Sequence, residues 1–217
     1  MATTSADGPA REEFGSLEAS LVAHEQFHDD RAPTDLQTLE RSVRFAREAV
    51  RGVELQLRRV RGVEPEDDEW LFRVWTDIQF LITALWQLRL AARLAASTDL
   101  AADVATRALN RFDDRLPDLA TMRHVAQHLD AYAVDDPNRR QRRPNGVALV
   151  GRRSLEVGSW SDERFIWLGG SLDVGAAETE SRLLYSALRT AAEQVCTDSA
   201  EAPGQPHEVS TDPRHPC

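Results

Sequence analysis

The chain contains no lysine: all 26 of its basic residues are arginine. Coding bias in a high-GC bacterial genome accounts for that count more simply than selection for phosphate contacts, although guanidinium does offer a planar, two-pronged donor set. Cysteine is nearly absent, with only Cys196 and Cys217, which excludes a disulfide framework and any Cys-based zinc site. A bridge between those two would close only a tail on itself, so both are expected as free thiols. Basic charge is in deficit as well, with 36 acidic residues against 26 basic and a net charge of −10. Such a molecule as a whole repels nucleic acid and anionic membranes, which leaves phosphate binding to a local basic patch. No apolar run approaches the roughly 20 residues that span a bilayer. Residues Met1 to Arg11 are small and polar, without the basic-then-apolar start of a secretory signal. The expectation is a cytoplasmic protein with no membrane partner.

What is present is a chain of 217 residues, 41% hydrophobic and 29% charged, enough for one domain with a sizeable core. Leu36, Leu39, Val43, Ala46, Val50, Val53, Leu57 and Val60 alternate spacings of three and four without a miss, with Arg and Glu on the faces between. That is a heptad seam on a helix of about 26 residues, about 39 Å long. Thr34 or Asp35 suits its start and Gly62 its end. A second long helix follows from about Glu69 to Ala96, with a broader stripe through Trp70, Leu71, Val74, Trp75, Ile78, Leu81, Ile82, Leu85 and Leu88 that predicts two neighbours rather than one. The short connection makes the pair an antiparallel hairpin. Further helices are expected over about 99–115 and 118–134, split by Pro117. Short alternating segments then appear at Val147–Val150, Ser154–Val157, Arg164–Leu168 and Ser171–Val174, with Gly169-Gly170 as a hairpin signal, before a last helix over about Ala176–Val195.

The fold class is therefore mainly α: an antiparallel helical bundle with a long helical hairpin and a small β-meander, about 147–174, before the C-terminal helix. Residues 1–33 read as a partly disordered arm with a short helix, 34–196 as the domain, and 197–217, rich in Pro and poor in apolar residues, as a disordered tail.

Two constellations carry chemistry. His24-Glu25-Gln26-Phe27-His28 spells H-E-x-x-H, which on a helix sets two imidazoles one turn apart around a zinc ion. Asp29 and Asp30 follow directly, the segment then breaks at Pro33, and no third ligand is evident, so a solvated helix end accounts for it better than a metal-dependent hydrolase. No metal and no cofactor are expected.

The second is the stretch Leu119–Asp130. Leu119, Met122, Val125, Ala126, Leu129 and Ala133 share one helical face at 100° per residue. Arg123, His124, Gln127, His128 and Asp130 lie off it. His124 and His128 are one turn apart, near enough to share a phosphate, whereas two ligands alone hold zinc poorly. An imidazole that titrates near neutrality can move a proton to or from a ribose oxygen, and a guanidinium can offset phosphorane charge. An ordinary solvated face bearing surface histidines accounts for the same pattern. Arg139, Arg140, Arg142 and Arg143 follow closely and suit an RNA backbone, or a solvated loop balanced by Asp135 and Asp136. Trp160, Phe165 and Trp167 suit either base stacking or packing of the small sheet against the last helix.

Arg123-His124-Val125-Ala126-Gln127-His128 has the R-x4-H spacing of the HEPN superfamily, and this stretch resembles that group of helical-bundle proteins. Leu129-Asp130-Ala131-Tyr132 is similar to the stretch after the motif in some bacterial members. The resemblance spans roughly Leu36 to Tyr132 and is defined by two positions. It departs at His124, where a small polar residue such as Asn is common, and in the meander, which lies outside the minimal HEPN bundle. It implies a metal-independent endoribonuclease leaving a 2′,3′-cyclic phosphate and acting as a homodimer with a shared cleft. On it, Arg123 stabilises the scissile phosphate, His128 is the general acid/base and His124 is secondary. The partners it implies are RNA, a second copy and an antitoxin-type protein, with a defence or toxin–antitoxin role. The contrasting expectation is a non-catalytic helical module whose seam and acidic surface serve dimerisation or docking.

Overall fold

The computed structural model describes residues 32–62, 69–134, 152–155, 159–161 and 163–201. Residues 1–33 and 34–217 form separate units, and the elements that follow belong to the second. The Glu12–His28 and Val147–Val150 segments lie outside the described residues.

Helix α1 (Asp35–Arg61) starts in a capping box: Gln37 N–H donates to Thr34 Oγ1 at 3.2 Å and Thr34 N–H donates to Gln37 Oε1 at 3.0 Å. These two bonds satisfy donors that a helix start otherwise leaves unpaired. The heptad seam is the buried face, with Leu39, Ala46, Val50, Val53, Leu57 and Val60 in the core and Leu36 and Val43 half-buried. Helix α2 (Trp70–Ala96) runs back along it. Ser42 Oγ donates to the Ala91 carbonyl at 2.9 Å, and a Cβ on Gly52 would stand 3.4 Å from Ala84 Cβ, so the two backbones approach closely at mid-hairpin. Arg73 closes the open end of α1 by donating to the carbonyls of Arg59 (3.0 Å) and Gly62 (3.2 Å). Its neighbour Asp77, only 1% exposed, receives Arg59 Nε at 2.7 Å.

The wide stripe of α2 does meet more than one partner. Besides α1 it packs on α3 (Ala102–Arg115), on α4 (Leu119–Gln127) and on the C-terminal helix α6 (Val174–Glu201). Paired forks brace these crossings: Arg89 Nε and Nη2 each reach Asp113 at 2.7 Å, and Arg111 Nε and Nη2 reach the buried Glu180 at 2.9 and 3.2 Å.

The helix expected over 118–134 is broken in two. His128, at φ −128° and ψ 35°, ends α4 and begins α5 (Leu129–Ala133). Its N–H bonds the Val125 carbonyl, three residues back rather than four. The last turn is thereby rotated: Tyr132 enters the core, while Leu129 and Ala133, expected on the apolar face, are exposed.

The meander is β1 (Ser159–Ser161), β2 (Arg164–Trp167) and β3 (Gly170–Asp173), antiparallel in that order. Of the strand expected at Ser154–Val157, Ser154 and Leu155 belong instead to a single 3-10 turn, Arg152–Leu155, and Glu156 and Val157 lie outside the described residues. Trp167 pairs with Gly170, so the hairpin turn is Leu168–Gly169 rather than Gly169–Gly170, with φ of 51° and 74°. Two positive φ values in succession are the turn that matches strand twist. Leu168 accepts that conformation because its side chain is fully buried. Gly170 is needed for approach: a Cβ there would lie 2.6 Å from Asp118 Cβ and 2.7 Å from Met122 Cγ. Asp118 fixes the contact, its Oδ2 accepting from Ser171 N–H at 2.9 Å.

Asp173 Oδ1 accepts from Ala176 N–H at 2.7 Å and starts α6, which runs through Glu201, past the expected end at Val195 and into the stretch expected to be disordered. Cys196 is disulfide-bonded and not the expected free thiol; Cys217 lies outside the described residues. No helix among the described residues is long and apolar enough to cross a membrane.

Two predictions follow from these contacts. Val50→Asp should put an unpaired charge into the α1–α2 seam and lower unfolding free energy by several kcal/mol, about 3 or more. Denaturant melts that match the parent would show that the seam is not buried. At the C-terminal end of α1, Arg61 donates to Glu163 at 2.8 Å and to Glu178 at 2.6 Å. The bond from Arg61 holds the Glu178 carboxyl below its ordinary pKa, against a smaller opposing effect of burial. Its contribution is complete above the ordinary carboxylate range and is lost as pH falls through the lowered value. Glu178→Gln should cost at most about 1 kcal/mol near pH 7 and make the acid limb of a stability–pH curve shallower. An unchanged acid limb would remove Glu178 from that role.

Candidate functional site

Helix α4 reaches the surface between α2 and β3. Leu119, Thr121, Met122 and Val125 are buried beneath it, which turns Arg123, His124 and His128 to the half-buried rim and leaves Gln127 and Asp130 exposed. The sequence-predicted residues are thus on the polar side of their helix, but they are not all drawn together.

Arg123 lies against α2, its guanidinium carbon 5.0 Å from the centre of the Trp86 ring. Arg89 sits 4.9 Å from the same ring. Arg89 is already committed to Asp113, whereas no carboxylate among the described residues pairs with Arg123. Asp130, exposed on the next turn, does not pair with Arg123. A guanidinium steadied by an aromatic face keeps its edge donors for an incoming oxygen anion.

The two imidazoles form a second group. His124 and His128 have ring centres 4.7 Å apart, and His124 meets the Tyr132 ring edge-on at 6.1 Å. The break at His128 assembles this column, because it is the rotated last turn that carries Tyr132 inward. The same break alters the R-x4-H pair, since His128 stands at the end of α4 and not within a continuous helix. No hydrogen bond or ring contact joins Arg123 to His128.

Trp86 and Arg89 were missed by sequence reasoning. Their signal was faint: a Trp off the α2 apolar stripe with an Arg three residues on, hence on the same side of the helix. Arg139, Arg140, Arg142 and Arg143 lie outside the described residues, as do His24 and His28. Among the described residues no three His, Cys, Asp or Glu side chains form a metal-ligating group. The meander aromatics are packing residues. Phe165 is buried 4.7 Å from the Trp75 ring, Trp167 is 5.1 Å from Trp75 and donates from Nε1 to the Leu155 carbonyl, and Trp160 lies 6.0 Å from Phe165. They join the sheet to α2 through Trp75, and Phe165 shares its core cluster with Ala177, Leu184 and Leu188 of the last helix.

Two cavities lie elsewhere. One of about 470 Å³ is walled by Glu54, Arg58, Arg61, Glu178 and Arg182, and another of about 420 Å³ runs between Phe45 and Ala49 of α1 and Leu90 and Leu94 of α2. Comparison with known proteins finds no family model, no curated protein and no solved structure that matches the chain.

The Arg123–Trp86 stack should be separable from folding. A double-mutant cycle with Arg123→Ala and Trp86→Leu should give a coupling of about 0.5–1 kcal/mol. A coupling near zero in denaturant titrations would mean that the ring does not hold the guanidinium in solution.

Proposed function

We propose that this chain is a HEPN-like cytoplasmic protein that cleaves RNA without a metal, using Arg123 and His128, with His124 in a secondary part. The observation that carries the reading is a guanidinium held on Trp86 without a carboxylate partner among the described residues, on the helix that also brings the tilted imidazoles of His124 and His128 to 4.7 Å of each other. The two groups need not touch, because the scissile phosphate would sit between them. His128 takes the proton of a ribose 2′-hydroxyl, whose oxygen attacks the adjacent phosphorus. Arg123 meets the charge on the phosphorane. The bond to the 5′ oxygen breaks, that oxygen takes a proton from the second imidazole, and a 2′,3′-cyclic phosphate remains. The Arg139, Arg140, Arg142 and Arg143 run would hold the strand through its phosphates. An antitoxin-type protein partner belongs to the same proposal and rests on resemblance alone.

A second reading is favoured by a different observation. Phe72, Phe80 and Leu90 are exposed along one face of α2, as in a non-catalytic helical interaction module.

Wild type and His128→Ala are compared on a structured RNA with EDTA present, reading the 3′ ends. Arg123→Ala and His128→Ala should each lower the cleavage rate by about 10²–10⁴ with little loss of stability, since both side chains lie off the buried face. His124→Ala should be milder. The Arg139/Arg140/Arg142/Arg143 quadruple alanine variant should weaken RNA binding and flatten its salt dependence while leaving chemistry intact. Equal cleavage by wild type and His128→Ala, or none by either at high enzyme concentration, would favour the interaction module.

A further inference from the structure

The cavity at the C-terminal end of α1 brings three guanidiniums together. Glu54, Arg58 and Arg61 share one side of α1, and Glu178 and Arg182 face them from successive turns of α6. Both carboxylates in the wall are already taken. Glu178 receives Arg61 Nη1 at 2.6 Å and Arg182 Nη2 at 2.9 Å, and Glu54 lies 3.5 Å from Arg182 Nε. The guanidiniums are not used up. Arg58 is exposed and makes no ion pair or side-chain hydrogen bond among the described residues. Arg61 gives Nε and Nη2 to Glu163 and Nη1 to Glu178, and each of its terminal nitrogens keeps a second proton. Arg182 keeps the donors of Nη1. Nor does the helix end repel an anion here. Gly62 N–H donates to the Arg58 and Arg59 carbonyls, and Arg73 donates to those of Arg59 and Gly62, so the negative pole of α1 is covered.

We infer that this cavity binds a small polyphosphate, a short chain of linked phosphate groups, through Arg58, Arg61 and Arg182. Unsatisfied guanidinium donors select the ligand. Each fork matches phosphate oxygens two at a time, and three forks offer more than a single carboxylate could use. The volume of about 470 Å³ falls among small-molecule sites, which run from about 300 to 1,000 Å³. Among the described residues no aromatic side chain lines it, so the phosphates are recognised and not a base. A nucleic-acid strand suits it less well. Glu54 and Glu178 in the wall, with Glu163 behind Arg61, would repel phosphates that continue past the cavity. Binding also leaves the fold's own contacts in place, because the ligand takes donors that Arg61 does not give to Glu163 or Glu178. It should therefore add to the clamp that Arg61 makes between α1, the meander and α6. The inference is independent of the ribonuclease reading: Arg123, His124 and His128 take no part in it, and its readout is binding heat.

Titration calorimetry of the full chain with inorganic triphosphate, at fixed ionic strength and without magnesium, tests it. Wild type should bind one triphosphate per chain, and saturating ligand should raise its melting temperature. Arg58→Gln should weaken binding by at least about 10-fold, since charge-assisted bonds are lost. Its melting temperature without ligand should match the parent, because Arg58 holds no partner in the fold. Glu178→Gln should act in the opposite direction and tighten binding by about 3-fold or more, as a neighbouring negative charge is removed and Arg61 Nη1 is released. A residue with a merely structural part would not give opposite signs at these two positions. ATP should bind within about 3-fold of inorganic triphosphate if the phosphate chain alone is read. No binding by wild type at millimolar triphosphate, or an Arg58→Gln chain that binds like its parent, would overturn the inference. So would much tighter binding of ATP, or displacement of triphosphate by single-stranded RNA at a lower phosphate concentration.

Discussion

Helix α2 has to meet α1, α3, α4 and α6 at once, and the rest of the arrangement depends on how it does so. Its backbone approaches α1 closely at Gly52 and Ala84, with Ser42 bonded to the Ala91 carbonyl. Larger residues, Ile78, Leu81, Ile82, Leu85 and Leu88, fill the space toward the other helices and are essentially inaccessible. Dispersion and solvent exclusion along this one helix supply the common core. They also explain why the meander lies where it does, since Trp75 of α2 is the ring on which Phe165 and Trp167 settle.

Apolar contact alone would leave the helices free to slide, and the arginine-only composition has a structural counterpart here. Arg89–Asp113 and Arg111–Glu180 are two-pronged pairs between different elements, and Arg61 reaches both Glu163 in the meander and Glu178 on α6. A guanidinium fork sets orientation as well as distance, which an ammonium does not. Asp77 and Glu180 are almost wholly buried beside Arg59 and Arg111. Buried pairs of this kind add little net stability, but they penalise any other packing that would strand one partner.

The candidate site illustrates how local and tertiary information divide. That Arg123, His124 and His128 avoid the buried face followed from 100° periodicity, and they do. That Arg123 would rest on Trp86 could not be read from the chain, because the contact joins residues 37 positions apart and depends on which side of α2 meets α4. The break at His128 was equally hidden. Nothing in Leu119–Ala133 is a helix breaker, yet seating the Tyr132 ring in the core rotates the last turn and puts Leu129 outside.

By itself the sequence determined the mainly helical class, the α1–α2 hairpin with its seam, a helix start at Thr34 or Asp35 and an end at Gly62, and a β-meander before the last helix. These follow from periodicity and from groups a few residues apart, where the chain's own covalent geometry decides. Only the tertiary structure decided the hairpin turn at Leu168–Gly169, the need for glycine at position 170, the length of α6 and the pairing of Trp86 with Arg123. Each of these depends on what a distant segment brings to the same point: the Asp118 and Met122 side chains against Gly170, the core that holds Leu168 at positive φ, the packing of α4 across α2. A one-dimensional pattern records which residues need burial, but not which neighbour buries them.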